Sequence, residues 1–406
     1  MRPISLDKVE GFRLNSIYCG NCQDVLPRKC PDDYIDLIYV DPPFFSNKKY
    51  EVIWGDGYEL RCFEDRWKGG INNYIAWMEP KIRECHRVLK KTGSMYLHCD
   101  WHANAHLRIL MDGIFGPENF QNEIVWHYRS GGGTSKRFSR KHDTIYLYSK
   151  SEECRFYPDD IREPYAPSTI ARLKYKGARE KNVDKVLRRG GRVPDDVWAI
   201  EHVQGNSEEA CGYPTQKPEA LLERIIKASS KPADAVLDPM CGCGTALIVA
   251  HRLGRQWVGI DVSPTAVNVM KRRMQRLGVF STKKEEIEHI SGLPRSMEEV
   301  NAMEPFEFQN WVCRKAWARP SRMRVGDKGI DGWQTNGTPL QVKQSENVGR
   351  NVVDNFETAM RRAGKKKGII VAFSFSKGAH EEAARAELDE GLEIELKTVK
   401  KLMDEA

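Results

Sequence analysis

A chain of 406 residues, 40% of them hydrophobic and 30% charged, is large enough for two domains or for one domain with a big insertion, and supports a real core. A formal charge of +7 permits a polyanionic partner without demanding one. Membrane spans, a signal peptide at Met1–Ser16 and a disulfide scaffold are all excluded by the pattern, which fits a reducing, intracellular setting and no membrane partner.

Ser16–Leu26 reads as a short strand followed by a turn that bears Asp24. Cys19 and Cys22 have CxxC spacing, but no second pair at zinc-site spacing accompanies them. Ile35–Val40 is an apolar, β-branched-rich strand running straight into Asp41-Pro42-Pro43-Phe44. The prolines fix φ and hold the residues before them extended, so the turn is stiff. It presents one acceptor, Asp41, and one flat ring, Phe44, which suits a planar group bearing an NH2. Taken by itself, the segment is equally well explained as a strand that ends in a proline turn.

The polar, aromatic loop Phe45–Gly70 is too long for a simple connection and suits a lid or a substrate-contacting segment. Helical periodicity covers Asn72–Lys90, interrupted at Pro80, and a further helix is expected over Trp101–Phe115. Ser94–Cys99, Glu123–Tyr128 and Thr144–Tyr148 read as strands. His98, His102 and His106 are assigned to capping and packing at a strand-to-helix junction rather than to a metal. Arg129–Lys141 is glycine-rich and basic, with Arg129, Lys136, Arg137 and Arg140, and Arg172–Arg192 is strongly basic again. A solvated charged face accounts for these residues, and so does a phosphate-tracking surface. Because they interrupt strands of one sheet, they are read as an inserted nucleic-acid-contacting region.

Pro218–Ser229 is an amphipathic helix with Pro in its first turn. Ala235–Leu237 is a strand leading into Asp238-Pro239-Met240-Cys241-Gly242-Cys243-Gly244-Thr245, then a helix, then the strand Trp257–Ile260 ending at Asp261. This βαβ unit has a glycine-rich first turn that lets a ligand approach the backbone, and a second-strand carboxylate placed for ribose hydroxyls.

These residues resemble the amino-group DNA methyltransferases that use S-adenosylmethionine, in the permuted β-type order: catalytic D/S-PP-Y/F motif, target recognition insertion, cofactor loop. The resemblance covers most of Ser16–Leu277. It implies a Rossmann-like α/β methyltransferase domain over residues 1–280, with an inserted target recognition region at 129–212. Asp41, Pro42, Pro43 and Phe44 would be catalytic. Asp24, Thr215, Gln216, Lys217, Asp238, Pro239, Gly242, Gly244, Thr245 and Asp261 would hold the cofactor, and Arg129, Lys136, Arg137 and Arg140 double-stranded DNA. Asp at the first motif position leans towards adenine N6. Cytosine N4 is the serious alternative, and an RNA or protein methyltransferase the more distant one. A Rossmann dehydrogenase would not explain the DPPF motif.

Ser281–Glu304 is polar and short of core residues and reads as a linker. Over 305–406, a helix at Pro305–Trp317, the segment Gly329-Ile330-Asp331-Gly332 and the strand Leu340–Lys343 resemble the Mrr-like branch of the PD-(D/E)xK nucleases. That likeness implies a small α/β domain with Asp331, Gln341, Lys343 and Glu307 in its active site, and Mg2+ held by Asp331 and Gln341. Methylation and cleavage on one chain imply restriction–modification, in a prokaryotic or phage setting in the cytoplasm beside the nucleoid. A C-terminal domain that only binds DNA is the alternative, and oligomeric state, a dimer included, is left open.

Overall fold

The computed structural model describes residues 11–45, 49–53, 59–64, 70–129, 135–175, 190–213, 215–321 and 329–404. The basic stretch 176–189, Ser130–Thr134 and Gly326–Lys328 lie outside the described residues. In the first body the strands are β1 (Ser16–Cys19), β2 (Ile35–Val40), β3 (Lys49–Ile53), β4 (Glu59–Glu64), β5 (Leu89–Cys99), β6 (Phe120–His127), β7 (His142–Ser149), β8 (Val197–Ala199), β9 (Ala235–Asp238), β10 (Gln256–Asp261) and β11 (Ile290–Ser291). All but β3 and β4 form one sheet, in the order β11-β1-β10-β9-β2-β5-β7-β6-β8. From β11 to β5 the pairing is parallel, and β7 runs antiparallel to both β5 and β6.

Alternation along the buried strands feeds two cores. Ile38 and Val40 of β2 pack with α1 (Cys22–Lys29), α2 (Gly70–Val88) and α3 (Asn104–Phe115). A short helix, α4 (Pro167–Tyr175), belongs to the insertion. Leu37 and Tyr39 face the other way, towards α5 (Glu219–Ser229), α6 (Thr245–Arg252) and α7 (Pro264–Arg276). The sheet is therefore covered on both faces, which is why β2, β9 and β10 are nearly all apolar.

Several boundaries differ from the sequence reading. Asp24 lies in the first turn of a helix rather than in a loop, because the Asn21 side chain accepts from Gln23 N at 3.1 Å and caps α1. Pro80 does not interrupt α2: the buried stripe of Tyr74, Met78, Ile82 and Cys85 carries the helix through it. His98 is on a strand, not on a helical stripe with His102 and His106.

The 281–304 segment is not a plain linker. It contains α8 (Lys283–His289), the strand β11 paired with β1, and α9 (Met297–Asn301). Two capping boxes, Thr282 with Glu285 and Ser296 with Glu299, start those helices in an otherwise polar stretch.

The second body comprises α10 (Pro305–Lys315), β12 (Ala318–Pro320), β13 (Gly332–Gln334), β14 (Pro339–Val342), α11 (Arg350–Arg362), β15 (Lys367–Ala372), α12 (Lys377–Glu390), β16 (Glu393–Thr398) and α13 (Val399–Asp404). Its sheet runs β12-β13-β14-β15-β16, with β14, β15 and β16 parallel. Leu340, Ile369 and Val371 pack against Phe308 and Trp311 of α10 and Val399 and Leu402 of α13, joined by Val300 and Met303 from the segment ahead. Ile370 and Ile394 pack on the opposite face, against Phe356 of α11 and Ala379 of α12. Among the described residues, no helix is long and apolar enough to cross a membrane.

Candidate active site

The strand order brings together carboxylates that are far apart in the chain. β2 pairs with β9 (Ile38 opposite Leu237) and β9 with β10, so Asp41, Asp238 and Asp261 stand at the carboxyl ends of three adjacent parallel strands. In open α/β sheets, this end of the strands is where ligands bind.

Asp261 is held by two backbone donors, Gly242 N to Oδ2 at 2.8 Å and Ser263 N to Oδ1 at 2.9 Å. Each oxygen keeps a further lone pair for a hydroxyl. Burial pushes the Asp261 carboxyl up to about 6; these backbone donors pull it down, and the charge of Glu307 adds to the rise. Gly242 and Gly244 have φ of +49° and +77°, and a Cβ at Gly244 would stand 2.6 Å from Met270 Cγ. Only glycine allows this loop its left-handed turn so close to Met270. Pro239 follows Asp238 in the turn itself. Asp238 is buried and accepts from Met240 N at 3.2 Å; burial drives its carboxyl well above the usual range, and the neighbouring Asp41 and Asp261 charges reinforce this. The Thr245 hydroxyl accepts from Arg273 at 3.2 Å, tying the loop to α7. Asp24 lies in the first turn of α1, just beyond Gly20, whose N–H donates to the Asp261 carbonyl at 2.8 Å.

At the Asp41–Phe44 turn, Lys217 Nζ donates to Asp41 Oδ2 at 2.5 Å and stands 5.0 Å from the Phe44 ring. Lys217 thus pairs with the Asp41 carboxylate, a partnership that its place in the segment Thr215-Gln216-Lys217-Pro218 (TQKP) did not reveal. Asp41 Oδ1 is buried and accepts no hydrogen bond among the described residues. The Tyr74 hydroxyl donates to the Pro43 carbonyl at 2.7 Å, which secures the second proline of the motif from α2. Gln216 turns back on its own loop, accepting from Cys211 N at 2.9 Å and donating to the Glu209 carbonyl at 2.6 Å. The Thr215 carbonyl accepts from Lys217 Nζ at 3.3 Å.

Behind Phe44 lies a polar group that the sequence reading missed. His98 is fully buried, with Tyr39 Oη 2.8 Å from Nδ1 and Asp143 Oδ2 3.3 Å from Nε2. The Tyr128 hydroxyl donates to Asp143 Oδ1 at 3.0 Å. Strand parity could have found it, because Tyr96 and His98 alternate with Met95, Leu97 and Cys99 on β5.

The basic insertion overhangs the same end. β6 closes at His127 opposite His142, and Cys99 pairs with Thr144, so the connection between β6 and β7 emerges beside the Asp41 turn. Arg129, Lys136, Arg137 and Arg140 are exposed there, with Arg140 stacked 3.4 Å from the centre of the Trp101 ring.

In the second body, Asp331 Oδ2 accepts from Val342 N at 2.7 Å, which seats the carboxylate against β14. Gln341 is buried, and its Oε1 accepts no hydrogen bond among the described residues. Lys343 follows two residues on, on the same face. Glu307 does not join them. Its carboxylate accepts from Ser263 Oγ at 2.6 Å and Thr265 Oγ1 at 2.9 Å, at the start of α7 in the first body. That face of α10 packs on the cofactor edge of the large sheet, whereas Gln309 on another face donates to the Asp331 carbonyl at 3.1 Å.

A family model described as DNA methylase matches residues 35–272, and one described as restriction endonuclease, of the Mrr catalytic type, matches residues 300–405. Type II methyltransferase M.BglII of Bacillus subtilis is 33% identical over 263 residues, 63% of this chain and 68% of its own length. DNA adenine methyltransferase YhdJ of Escherichia coli strain K12 is 32% identical, over 63% of this chain and 81% of its own. Type II methyltransferase M1.MboII of Moraxella bovis is also 32% identical, with 95% of its length covered. The chain belongs to the DNA methylase family and carries a restriction endonuclease domain of the Mrr type behind its methylase domain.

Proposed function

We propose that the protein transfers a methyl group from S-adenosylmethionine to the exocyclic N6 of an adenine flipped out of duplex DNA, within a restriction–modification activity carried on one chain beside the nucleoid of a prokaryotic or phage system. The observation that carries this reading is Asp41 Oδ1, a buried acceptor without a donor among the described residues, beside Asp238 and Asp261 in the strand order. The glycine cradle and the spare lone pairs of Asp261 fit the cofactor's ribose and backbone-facing edge. The sulfonium supplies an electrophilic methyl, and the rest is done by this chain.

An exocyclic amine conjugated to a nucleobase is a poor nucleophile because its lone pair is delocalised. Donating its hydrogens to Asp41 Oδ1 and the Pro42 carbonyl favours pyramidal nitrogen and frees the lone pair. Phe44 stacks on the base and offsets part of the few kcal/mol that flipping costs. Holding amine and methyl in line can contribute roughly 7–11 kcal/mol. Lys217 balances the charge of Asp41 from the side away from the amine.

Separate sheets and cores support a division into a methylase domain and an Mrr-like domain, with β11 at Ile290–Ser291 extending the first beyond residue 280 and Val300 and Met303 joining the second ahead of residue 305. In the second domain, Asp331 and the unpartnered Gln341 carbonyl oxygen are hard donors that would hold Mg2+, which would polarise a scissile phosphate. Lys343 would stabilise the charge building there. Sequencing that distinguishes N6-methyladenine from N4-methylcytosine, on DNA from a host expressing the protein, tests the assignment. Methylcytosine alone would move the target to cytosine N4, and no modified base would overturn the DNA reading.

A further inference from the structure

We propose that His98, fixed by Asp143, is a positioning residue for methyl transfer: it holds its hydrogen on Nε2, so that only a lone pair faces the catalytic turn and Asp41 Oδ1 stays open for the base amine. The inference rests on the methyltransferase reading above and deepens it.

The geometry gives each hydrogen one place. Asp143 Oδ2, 3.3 Å from His98 Nε2, is a carboxylate oxygen and only accepts, so Nε2 carries the hydrogen. In the singly protonated ring Nδ1 is then an acceptor, and takes the hydrogen of the Tyr39 hydroxyl 2.8 Å away. Asp41 Oδ1 lies 4.0 Å from that same nitrogen, beyond hydrogen-bond distance. The Tyr39 hydroxyl is spent on His98, and Lys217 Nζ on the other oxygen of the Asp41 carboxylate. A buried carboxylate oxygen without a donor is costly to keep, and this arrangement keeps one at the point where the amine must dock.

The surroundings hold the ring in place. Phe44 and Trp126 pack on His98, each with ring centres 5.4 Å away. Charged and titratable groups face it from every side: Asp41 and Tyr39 from β2 and its turn, Lys217 across the Phe44 ring, and Asp143 from β7, with Tyr128 and His202 beyond. Burial alone would raise the Asp143 carboxyl; the His98 hydrogen bond, the Lys217 charge and the Tyr128 hydroxyl hold it below the usual range, as an acceptor. With the hydrogen on Nδ1 instead, His98 would turn a donor towards Asp41 Oδ1 and release the Tyr39 hydroxyl to do the same. Either donor would compete with the amine.

The test uses the full-length protein, tritium transfer from labelled S-adenosylmethionine to unmethylated DNA, and nitrogen NMR of histidine-labelled protein with His98→Gln for assignment. In the parent near neutral pH, His98 is expected as the neutral Nε2–H tautomer. Asp143→Asn can turn its amide NH2 to Nε2 and force the other tautomer. It should lower kcat by about tenfold or more, while the Kd for S-adenosylmethionine stays within about twofold. An Nδ1–H or doubly protonated His98 in the parent overturns the proposal, as does Asp143→Asn with unchanged kcat. Should Asp143→Asn fail to fold, the tautomer in the parent decides. A parent that methylates no DNA defeats the methyltransferase reading instead, and is told apart because the tautomer is read without turnover.

Discussion

Lys217 Nζ and Asp41 Oδ2 form a 2.5 Å ion pair that joins the segment ahead of α5 to the turn after β2. Both side chains are largely buried, at 9% and 16% exposure, so neither can lose its partner cheaply. Asp41→Asn should abolish methyl transfer, with a fall of at least about a hundredfold, and leave cofactor binding nearly intact. Lys217→Met should leave Asp41 as an uncompensated charge and cost roughly 3 kcal/mol of stability, read by denaturant unfolding. Wild-type transfer by Asp41→Asn would remove that carboxylate from the chemistry.

Asp261 predicts a pH dependence of cofactor binding. Its carboxyl is raised to about 6, and only the ionised form can accept from both ribose hydroxyls. Affinity should therefore weaken as pH falls through about 6 and level off above it. In the ligand-free protein the sign is opposite. The raised value means the folded state favours the protonated form, so the stability this group contributes is present below the ordinary carboxylate range and is lost as pH rises through about 6. Calorimetric titration and thermal unfolding across that window check the two signs separately.

The contact between the two bodies makes a third prediction. Glu307 accepts from Ser263 and Thr265, beside Asp261, and its charge helps raise that carboxyl. Glu307→Gln should shift the midpoint of cofactor binding to lower pH without removing Mg2+-dependent chemistry from the second domain. A loss of cleavage with an unmoved midpoint would return Glu307 to the nuclease site.

The exposed basic connection beside the active-site mouth should contribute electrostatically to DNA affinity. Replacing Lys136, Arg137 and Arg140 together should weaken binding and flatten the salt dependence by about 0.9 in log–log slope for each phosphate that is no longer neutralised. An unchanged slope would make them a solvated face.

On the proposed reading, cleavage would depend on Asp331, Gln341 and Lys343. Unmethylated DNA incubated with Mg2+ should be cut by the parent and spared by Asp331→Ala and Lys343→Ala, with methyl transfer retained in both variants. Cutting that survives both substitutions would place the nuclease elsewhere.

What the sequence by itself determined was local. The DPPF turn, the glycine loop between strand and helix, Asp261 at a strand end and the two-residue spacing of Gln341 and Lys343 all follow from backbone geometry over a few residues, and all are found where the pattern puts them. The capping boxes at Thr282 and Ser296 were equally legible but were outweighed by the polar composition around them. Tertiary structure alone decided which distant groups meet. Lys217 reaches Asp41, and His98 is trapped between Tyr39 and Asp143, because strand order places β5, β7 and the TQKP segment around the end of β2. Glu307 binds Ser263 and Thr265 rather than a metal because its face of α10 packs on α7. A helix shows in sequence that it has faces, but the partner that each face meets is set by how the whole chain buries its apolar surface.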